Sequence, residues 1–456
     1  MKTTSMIKRL GICLLAGLLL TAACSCAQQP APNPPPNSSD TGTVLSGTSS
    51  SETSDSGASA STDEGSGGTE TTGDGSEASG SKTASTKCPD TTKTHTTTKN
   101  LSTKTAGTAS GTGTTGKPTN GRSLAVALVQ YHPGIPGFDA EYQLRAEYDG
   151  VLVNASSIAY SCTNKNVRIS ANKVVIPESV RNAGRAVVID AKHTSGATAQ
   201  LSIPVRSWTP SFTDEFEGST LDSSKWAPFE VLVDYGGEEV TVPDCYTIQN
   251  GVLSMKVDKR TTVANGKTYT LAGAALSTYD SFSQKTGCFL ASIKMPEEAG
   301  LCSAFWLMPK PYVGWGRCYH YYTASNPGIG CGEIDIVEYS NAWKGKYQTT
   351  EHFWDFSTGQ HHSEMVEVPV QNITSAFHVY GAVIEEDASY FYCDGKLVKV
   401  NDDVAQKGKG NKRSLDSFML LSFHTGEREG GWLGGWNFED SAFPIYTDVD
   451  RVRAYR

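Results

Sequence analysis

The N-terminal part of the chain lacks aromatic residues, since no Phe, Trp or Tyr precedes Tyr131 among 456 residues. From Gln28 to about Gly121 it consists almost entirely of Ser, Thr, Gly, Ala, Pro and charged residues. Such a composition cannot bury enough apolar surface to offset the entropy of an ordered chain. The lack of aromatic residues and this composition exclude a globular domain there and predict a disordered linker over residues 27–122.

Clustered basic residues and CxxC motifs are also lacking. The formal net charge is -9, and without a basic patch a nucleic-acid partner is excluded. Six of the eleven cysteines lie beyond residue 208, an even number compatible with disulfides outside the cell. Cys318 and Cys331 bracket one loop and are the best candidate pair; free buried thiols are the alternative.

The first residues, "MKTTSMIKRLGICLLAGLLLTAACSC", carry the features of an export signal over residues 1–26. Lys2, Lys8 and Arg9 precede an apolar run that is too short for a comfortable membrane span. The run ends in "LTAAC", which resembles a bacterial lipoprotein box with Cys24 as the lipidated residue. We therefore expect an extracellular, cell-surface lipoprotein whose membrane partner is reached through Cys24; cleavage and secretion is the alternative.

Residues 123–207 contain short strand-like runs separated by turn signals, among them "SLAVALVQ", "EYQLRAEY" and "RAVVIDA". This spacing predicts a small β-sandwich. The passage "IAYSCTNKNVRISANKVVIP" resembles bacterial immunoglobulin-like modules. No cluster of catalytic residues occurs in it, so we expect a spacer, with sugar binding as the alternative.

From Trp208 to Arg456 the composition changes, because all eight tryptophans lie there. Strand-like runs such as "LCSAFWLMP", "FHVYGAVI" and "FMLLSFHT" follow one another, joined by Gly, Asp and Asn turns. No amphipathic helix intervenes. The pattern predicts an all-β chain whose last segment, 208–456, is a sandwich of two antiparallel sheets and acts as a monomer.

One stretch of this segment, "CGEIDIVEYSN" at residues 331–341, has an irregular pattern of acids. Side chains alternate along a strand, so Glu333 and Asp335 share a face whereas Glu338 should point the other way. A β-bulge near Ile336 and Val337 would return Glu338 to the face of the other two acids. Converging carboxylates suit glycoside hydrolysis, in which retaining enzymes hold two of them about 5 to 5.5 Å apart. Taken alone, "EIDI" is an ordinary amphipathic strand with its acids in water.

The surroundings of this stretch resemble glycoside hydrolase family 16, from "TDEFEGSTLDSSKW" to "VDRVRAYR". "AGLCSAFWLMP" resembles the family's strand before the catalytic one, and "GEIDIVE" matches its E-x-D-x-x-E signature. The resemblance implies a β-jelly-roll with the acids on its concave sheet. It also implies that Glu333 is the nucleophile, Asp335 its assisting acid and Glu338 the acid/base, with a polysaccharide substrate and no required cofactor.

Further candidates for substrate binding come from periodicity together with this resemblance. In "TTEHFWDF", His352 and Trp354 are two apart and share a strand face, which lines the cleft in the family. Trp306 resembles a sugar-stacking residue, because an aromatic ring offers a platform for an apolar sugar face. Trp343 and Trp432 occupy predicted loops near the site. Core packing is the alternative for each tryptophan.

Several positions leave the metal content and the substrate open. Asp450 aligns with a residue that holds a structural calcium in some relatives, although a solvated strand acid fits equally. Leu290 stands where the family often has an acid, and Ile384 replaces a frequent Trp. The segment "LSFHTGEREGGWLGG" also departs from the family pattern and places His424 near the cleft.

The expected function is an exported, retaining endo-β-glucanase that acts on β-1,3 or mixed β-1,3/1,4-glucan. A galactan hydrolase of the agarase, carrageenase or porphyranase type is the second possibility within the family, and a transglycosylase uses the same acids. A non-catalytic carbohydrate-binding surface protein is the alternative from another class, since jelly rolls also serve as lectins.

Overall fold

A computed structural model describes residues 113–114, 122–229, 238–264, 266–310, 332–355, 360–401, 415–437 and 442–456. The predicted signal segment, Cys24, most of the predicted linker, Cys318 and Cys331 lie outside these residues. The described residues all lie within residues 104–456, which form one compact unit. Nowhere in these ranges is a helix both long and apolar enough to span a membrane.

The first half of this unit is a small β-sandwich. Its strands are β1 Gly113–Thr114, β2 Leu124–Leu128, β3 Ala140–Tyr148, β4 Val151–Leu152, β5 Ile158–Cys162, β6 Arg168–Ser170, β7 Lys173–Ile176, β8 Val187–His193 and β9 Thr198–Ile203. A short helix α1 (Glu178–Arg181) and a 3-10 turn (Ala155–Ser157) complete it. One sheet has the order β1-β9-β8-β5 and the other β2-β3-β7-β6, with β4 on β3.

Alternation of apolar and polar residues explains this sandwich. Along β3, Ala140, Tyr142, Leu144 and Ala146 are buried and join the core that both sheets share. The sandwich agrees with the sequence pattern, and its immunoglobulin-like affiliation stays a prediction. Strand β1 differs from expectation, because it lies within the predicted linker and pairs with β9.

The second half contains the remaining strands. They are β10 Pro210–Asp214, β11 Ala227–Pro228, β12 Glu239–Thr241, β13 Tyr246–Gln249, β14 Val252–Ala264, β15 Lys267–Ser277, β16 Gly287–Lys294, β17 Leu301–Pro309, β18 Gly332–Tyr339, β19 Lys346–Asp355, β20 Gln360–Pro369, β21 His378–Ile384, β22 Ser389–Cys393, β23 Lys396–Asn401, β24 Ser417–Thr425 and β25 Ile445–Tyr455. A 3-10 turn, Asn341–Trp343, follows β18.

These strands form two layers that the long β14–β15 hairpin joins. We call the layer β20-β19-β18-β17-β24-β15 the cleft sheet and the layer β14-β25-β16-β21-β22-β23 the outer sheet. In β17, Phe305 and Leu307 point into the core between the sheets, whereas Ala304 and Trp306 belong to a separate cluster on the opposite face. The predicted all-β jelly-roll sandwich is confirmed, and the acidic strand β18 lies within the cleft sheet.

The small sandwich packs directly against the outer sheet through the loop of residues 132–138. Ile135 and Phe138 share a hydrophobic cluster with Leu290 and Tyr392 of the jelly roll. A side chain at Gly395 would leave no space for this contact, because its Cβ would lie 2.5 Å from Phe138 Cβ. The segment that the sequence suggested as a spacer therefore covers apolar surface of the jelly roll, which also explains the apolar residue at Leu290.

The loop is held rigidly from within the small sandwich. Arg181 is fully buried and donates hydrogen bonds to the carbonyl oxygens of Pro133, Ile135 and Phe138 at 3.3, 2.8 and 2.6 Å. Trp208 Nε1 donates to the Gly134 carbonyl at 3.1 Å from the jelly-roll side. Because the loop is anchored on both sides, its apolar side chains are presented in a fixed orientation.

We expect the double substitution Ile135→Ser/Phe138→Ser to lower the thermal stability of the full chain markedly. Each lost apolar contact should reduce the free energy of unfolding by roughly 1.5–3 kcal/mol. Val151→Ser/Leu152→Ser is the matched control, since these side chains are exposed. Equal melting temperatures of the two double variants in calorimetry would contradict the packing role of the loop.

Candidate active site

The acidic strand β18 contains a β-bulge where the sequence requires one. Against β17, Asp335 lies opposite Trp306 and Val337 lies opposite Phe305, so two steps along β18 match one step along β17. The extra residue is Ile336. This register shift confirms the predicted bulge near Ile336 and Val337.

The neighbouring strand on the other side shows the same irregularity. Asp335 pairs with Thr350 and Glu338 with Gln348, which is three steps along β18 against two along β19. Ile336 and Val337 are 1% and 0% exposed and both belong to the core between the sheets. The bulge thus buries two consecutive apolar residues and returns the next acid to the cleft face.

The three carboxyl groups interact electrostatically on that face. Asp335 is 2% exposed and shares a hydrogen bond with Glu333, whereas Glu333 and Glu338 are partly buried. Burial raises the pKa of Asp335 to about 8, although the charge of Lys399 and the Glu333 hydrogen bond act against this rise. The pKa of Glu338 is also well above its usual value, first through burial and then through the negative charge of Asp335. The site therefore retains protons at neutral pH, as general-acid catalysis requires.

Strand β19 supplies polar partners to the acids from alternate residues. His352 Nε2 lies 3.2 Å from Asp335 Oδ2, and Thr350 Oγ1 donates a long hydrogen bond of 3.5 Å to Glu338 Oε2. No donor within the described ranges has hydrogen-bond alignment with Asp335 Oδ2, so we treat the His352 contact as electrostatic. The structure thus brings His352 to the acids as predicted. Trp354 follows it in β19, but its side chain lies outside the part that the structure describes.

Trp306 lies on the cleft face beside the acids but is only 4% exposed. Its Nε1 donates to Ser422 Oγ at 3.2 Å, and it shares a cluster with Met308, Phe418 and Leu420. Trp306 therefore packs within the cluster on the cleft face of this sheet. Its role as a sugar platform stays a prediction.

Trp343 and Trp432 form an aromatic pair at the Glu338 end of the cleft sheet, with ring centroids 5.3 Å apart. Trp343 Nε1 donates to the Trp432 carbonyl, and Trp432 Nε1 donates to Gln348 Oε1, each at 3.3 Å. Trp432 is 40% exposed, so its ring is available to a ligand. Because Gln348 pairs with Glu338 across the strands, the aromatic pair lies next to the acid/base position.

Sequence reasoning missed Gln348 and Thr350 as site residues. Both lie at even spacing before His352, so strand alternation starting from that histidine would have identified them. His424 is 5% exposed and pairs with Cys302 on the cleft sheet, and burial lowers its pKa. His424 is therefore a buried neutral side chain of the cleft sheet and is not exposed to a substrate.

The described residues contain one group with metal-ligand geometry, formed by His378, Cys393 and Asp394. His378 Nδ1 lies 2.8 Å from Asp394 Oδ2, and the Val379 amide donates to Asp394 Oδ1 at 2.9 Å. These bonds join the β22–β23 turn to β21, which is a structural role. Asp450 lies elsewhere and pairs with the adjacent Arg451, and the calcium suggested for it stays a prediction.

The raised pKa of Asp335 predicts a trade-off between activity and stability. An acid whose folded-state pKa exceeds its unfolded value of 3.8 contributes stability at low pH, which is lost as pH rises toward about 8. Asp335→Asn removes this loss, and we expect it to raise the free energy of unfolding at neutral pH by about 1–2 kcal/mol. We expect kcat to fall with little change in KM.

Thermal unfolding of the wild type and Asp335→Asn at about pH 5 and about pH 8 tests this expectation. The gain in the free energy of unfolding should be larger at the higher pH. A gain of equal size at both values, or a loss at the higher one, would show that Asp335 is not held protonated by burial.

A two-sheet β-sandwich that presents a bulged strand of three interacting acids, with raised carboxyl pKa values, has the arrangement of carboxyl groups that glycosidases use. The chain belongs to glycoside hydrolase family 16: residues 207–456 match the family described as the GH16 domain of beta-porphyranases A–D.

Curated relatives carry names of two substrate classes. The chain is 28% identical to glucan endo-1,3-beta-glucosidase A1 of Niallia circulans over 271 residues, which cover 53% of this chain and 37% of the relative. It is 24% identical to the keratan-sulfate endo-1,4-beta-galactosidase of Sphingobacterium multivorum over 310 residues, covering 67% of this chain and 66% of the relative. The chain thus spans less than two thirds of the length of these relatives.

Solved structures are similar over part of this chain. The catalytic domain of the endo-1,3-beta-glucanase (laminarinase) from Thermotoga petrophila is 23% identical, with a TM-score of 0.46. The match covers 55% of this chain and 98% of that structure.

Proposed function

We propose that the protein is a retaining endo-glycosidase that hydrolyses β-1,3 or mixed β-1,3/1,4-glucan. The observation that carries this proposal is the β18 bulge, which places Glu333, Asp335 and Glu338 on one face of the cleft sheet. Relatives named as endo-1,3-beta-glucosidase and endo-1,3-1,4-beta-glycanase support the substrate class. The raised pKa values of Asp335 and Glu338 support the mechanism.

In this mechanism Glu333, as the carboxylate, attacks the anomeric carbon while Glu338 donates its proton to the departing glycosidic oxygen. A covalent glycosyl ester forms on Glu333, and the C–O bond to the leaving sugar breaks. Glu338 then takes a proton from water, which attacks the same carbon and releases Glu333. Asp335 remains hydrogen-bonded to Glu333 throughout, which holds the nucleophile in position without a cofactor.

A second candidate is hydrolysis of a β-galactan. It is favoured by the family match to beta-porphyranases and by the relative named as a keratan-sulfate endo-1,4-beta-galactosidase. Both activities use the same acids, and the difference lies in the sugars that the rest of the cleft accepts.

Release of reducing ends from laminarin, lichenan, agarose, porphyran and keratan sulfate tests these proposals, with Glu333→Gln as the inactive control. We expect laminarin or lichenan to give a ladder of oligosaccharides, as endo-acting cleavage requires. Release from the galactans alone would replace the first candidate by the second. Binding without release from any glycan would contradict both and support a carbohydrate-binding protein.

A further inference from the structure

Strand β19 carries functional side chains on one face and buried polar side chains on the other. Its cleft face supplies Thr350 and His352 to the acids, as described above. Thr349 and Glu351 lie on the opposite face, between the two sheets, and both are 0% exposed. Polar groups that are buried so deeply must be compensated by hydrogen bonds or charges nearby.

The compensating groups come from β23, the last strand of the outer sheet. Lys399 is 8% exposed, and its Nζ contacts the Thr349 carbonyl at 3.5 Å and donates to the Glu364 carbonyl. Asn401 is 3% exposed, and its Nδ2 donates to Glu351 Oε2 at 2.7 Å. We call Thr349, Glu351, Lys399 and Asn401 the inter-sheet polar cluster, because it joins the outer sheet to the cleft sheet.

This cluster reaches the catalytic strand through one more hydrogen bond. Thr349 Oγ1 donates to the Asp335 carbonyl at 3.0 Å, so Lys399 contacts the residue that holds the bulged segment of β18. The ammonium also lies 4.7 Å from the centre of the Phe391 ring, in the interior between the sheets. Charges act over longer distances there than in water, because the effective dielectric constant is lower.

We propose that Lys399 is a positioning residue for the reaction: its buried ammonium, held behind β19, sets the electrostatic potential at the three catalytic acids. This inference rests on the proposed glycosidase function. Burying a lysine carries a large desolvation penalty, and here the ammonium lies behind the acids as well as compensating buried polar groups of β19. Because it lies behind the three acids, the Lys399 ammonium has a role in the reaction.

Other charged groups surround Lys399. Glu351 faces it from β19, the partly buried Glu364 belongs to β20, and Lys396 is exposed at the start of β23. Glu351 and Glu364 are not substituted in the variants below, so any shift in the pH profile originates in the loss of the Lys399 charge.

On the cleft side, the three acids face His352 of β19, together with Cys302 of β17 and His424 of β24. The charge of His352 lowers the pKa of Glu338, and burial keeps His424 neutral and the Cys302 thiol protonated. None of these groups changes in the experiment.

The direction of the effect follows from charge. Lys399 lowers the pKa of Asp335, so its removal makes the acids hold protons to higher pH. Both limbs of a bell-shaped profile of kcat/KM against pH should then move toward alkaline pH. If the acid limb moves by about one pH unit, kcat/KM at a fixed acidic pH falls about tenfold.

The experiment measures pH profiles for the full chain and for Lys399→Met, Lys399→Gln and Lys396→Met on the glycan that the wild type cleaves. Lys399→Met removes the charge at similar volume, whereas Lys399→Gln retains a donor for the carbonyl oxygens. We expect an alkaline shift in both Lys399 variants and none in Lys396→Met. Circular dichroism verifies folding, and Lys399→Gln decides the test should Lys399→Met not fold.

Unchanged profiles in a folded Lys399 variant, or an equal shift in Lys396→Met, would overturn the role of Lys399. A lower rate at every pH without a shift would also overturn it, since this is the result of a merely structural role. Failure of the proposed function is a separate outcome, because the wild-type protein would then release no reducing ends.

Discussion

Glu333→Gln should reduce turnover by at least about 10⁴-fold, the largest effect that we expect of any single substitution in this protein. The amide has nearly the same shape as the carboxylate but cannot form the glycosyl ester. Glu333 shares a hydrogen bond with Asp335 inside the cleft sheet. Because Gln can also form this hydrogen bond, the fold should persist. The measurement is the initial rate of reducing-end release, with kcat and KM determined separately.

The matched control for this substitution is Glu367→Gln on β20, an exposed acid that pairs with Lys346 at 3.0 Å. It should leave the rate within about twofold of wild type, because exposed ion pairs contribute little. Proton NMR of the first products supplies the mechanistic test. Products of inverted anomeric configuration would refute the covalent intermediate and, with it, the assignment of Glu333 as nucleophile.

Glu338→Gln should lower kcat by about 10² to 10⁴, the contribution typical of general acid–base catalysis. The loss should be smaller for aryl glycosides with good leaving groups, since these depart without protonation. In the wild type, burial first and then the charge of Asp335 raise the pKa of Glu338 well above its usual value, which favours the protonated form that a proton donor needs. The alkaline limb of the pH profile should therefore disappear in the variant.

Comparison of two substrates decides this assignment. If Glu338→Gln slows an activated aryl glycoside as much as the natural polysaccharide, Glu338 is not the proton donor. Thr350→Val provides a graded control. Thr350 Oγ1 contacts Glu338 at 3.5 Å, so loss of this hydroxyl should shift the alkaline limb of the pH profile while Glu338 itself remains.

Much of the architecture could be predicted because strand alternation is a local property. "GEIDIVEY" coincides with β18 and "LCSAFWLMP" with β17, since each run combines β-favouring residues with turn signals at its ends. Other strands were missed: β14 and β15 were not predicted, because the second half of β14 is largely polar and seven consecutive residues of β15 are buried without alternation. They form the hairpin that joins the cleft sheet to the outer sheet.

The sequence by itself determined the bulge, because three acids at offsets of two and three can share one face of a strand only if a residue is added between them. The class of chemistry followed from the resemblance of "GEIDIVE" and its surroundings to glycoside hydrolase family 16, and the acids alone did not determine it. Contacts between residues far apart in the chain were decided only by tertiary structure. Ile135 against Leu290 and Lys399 behind Asp335 leave no periodic signal, because each depends on how complete sheets stack and on which side chains then become buried.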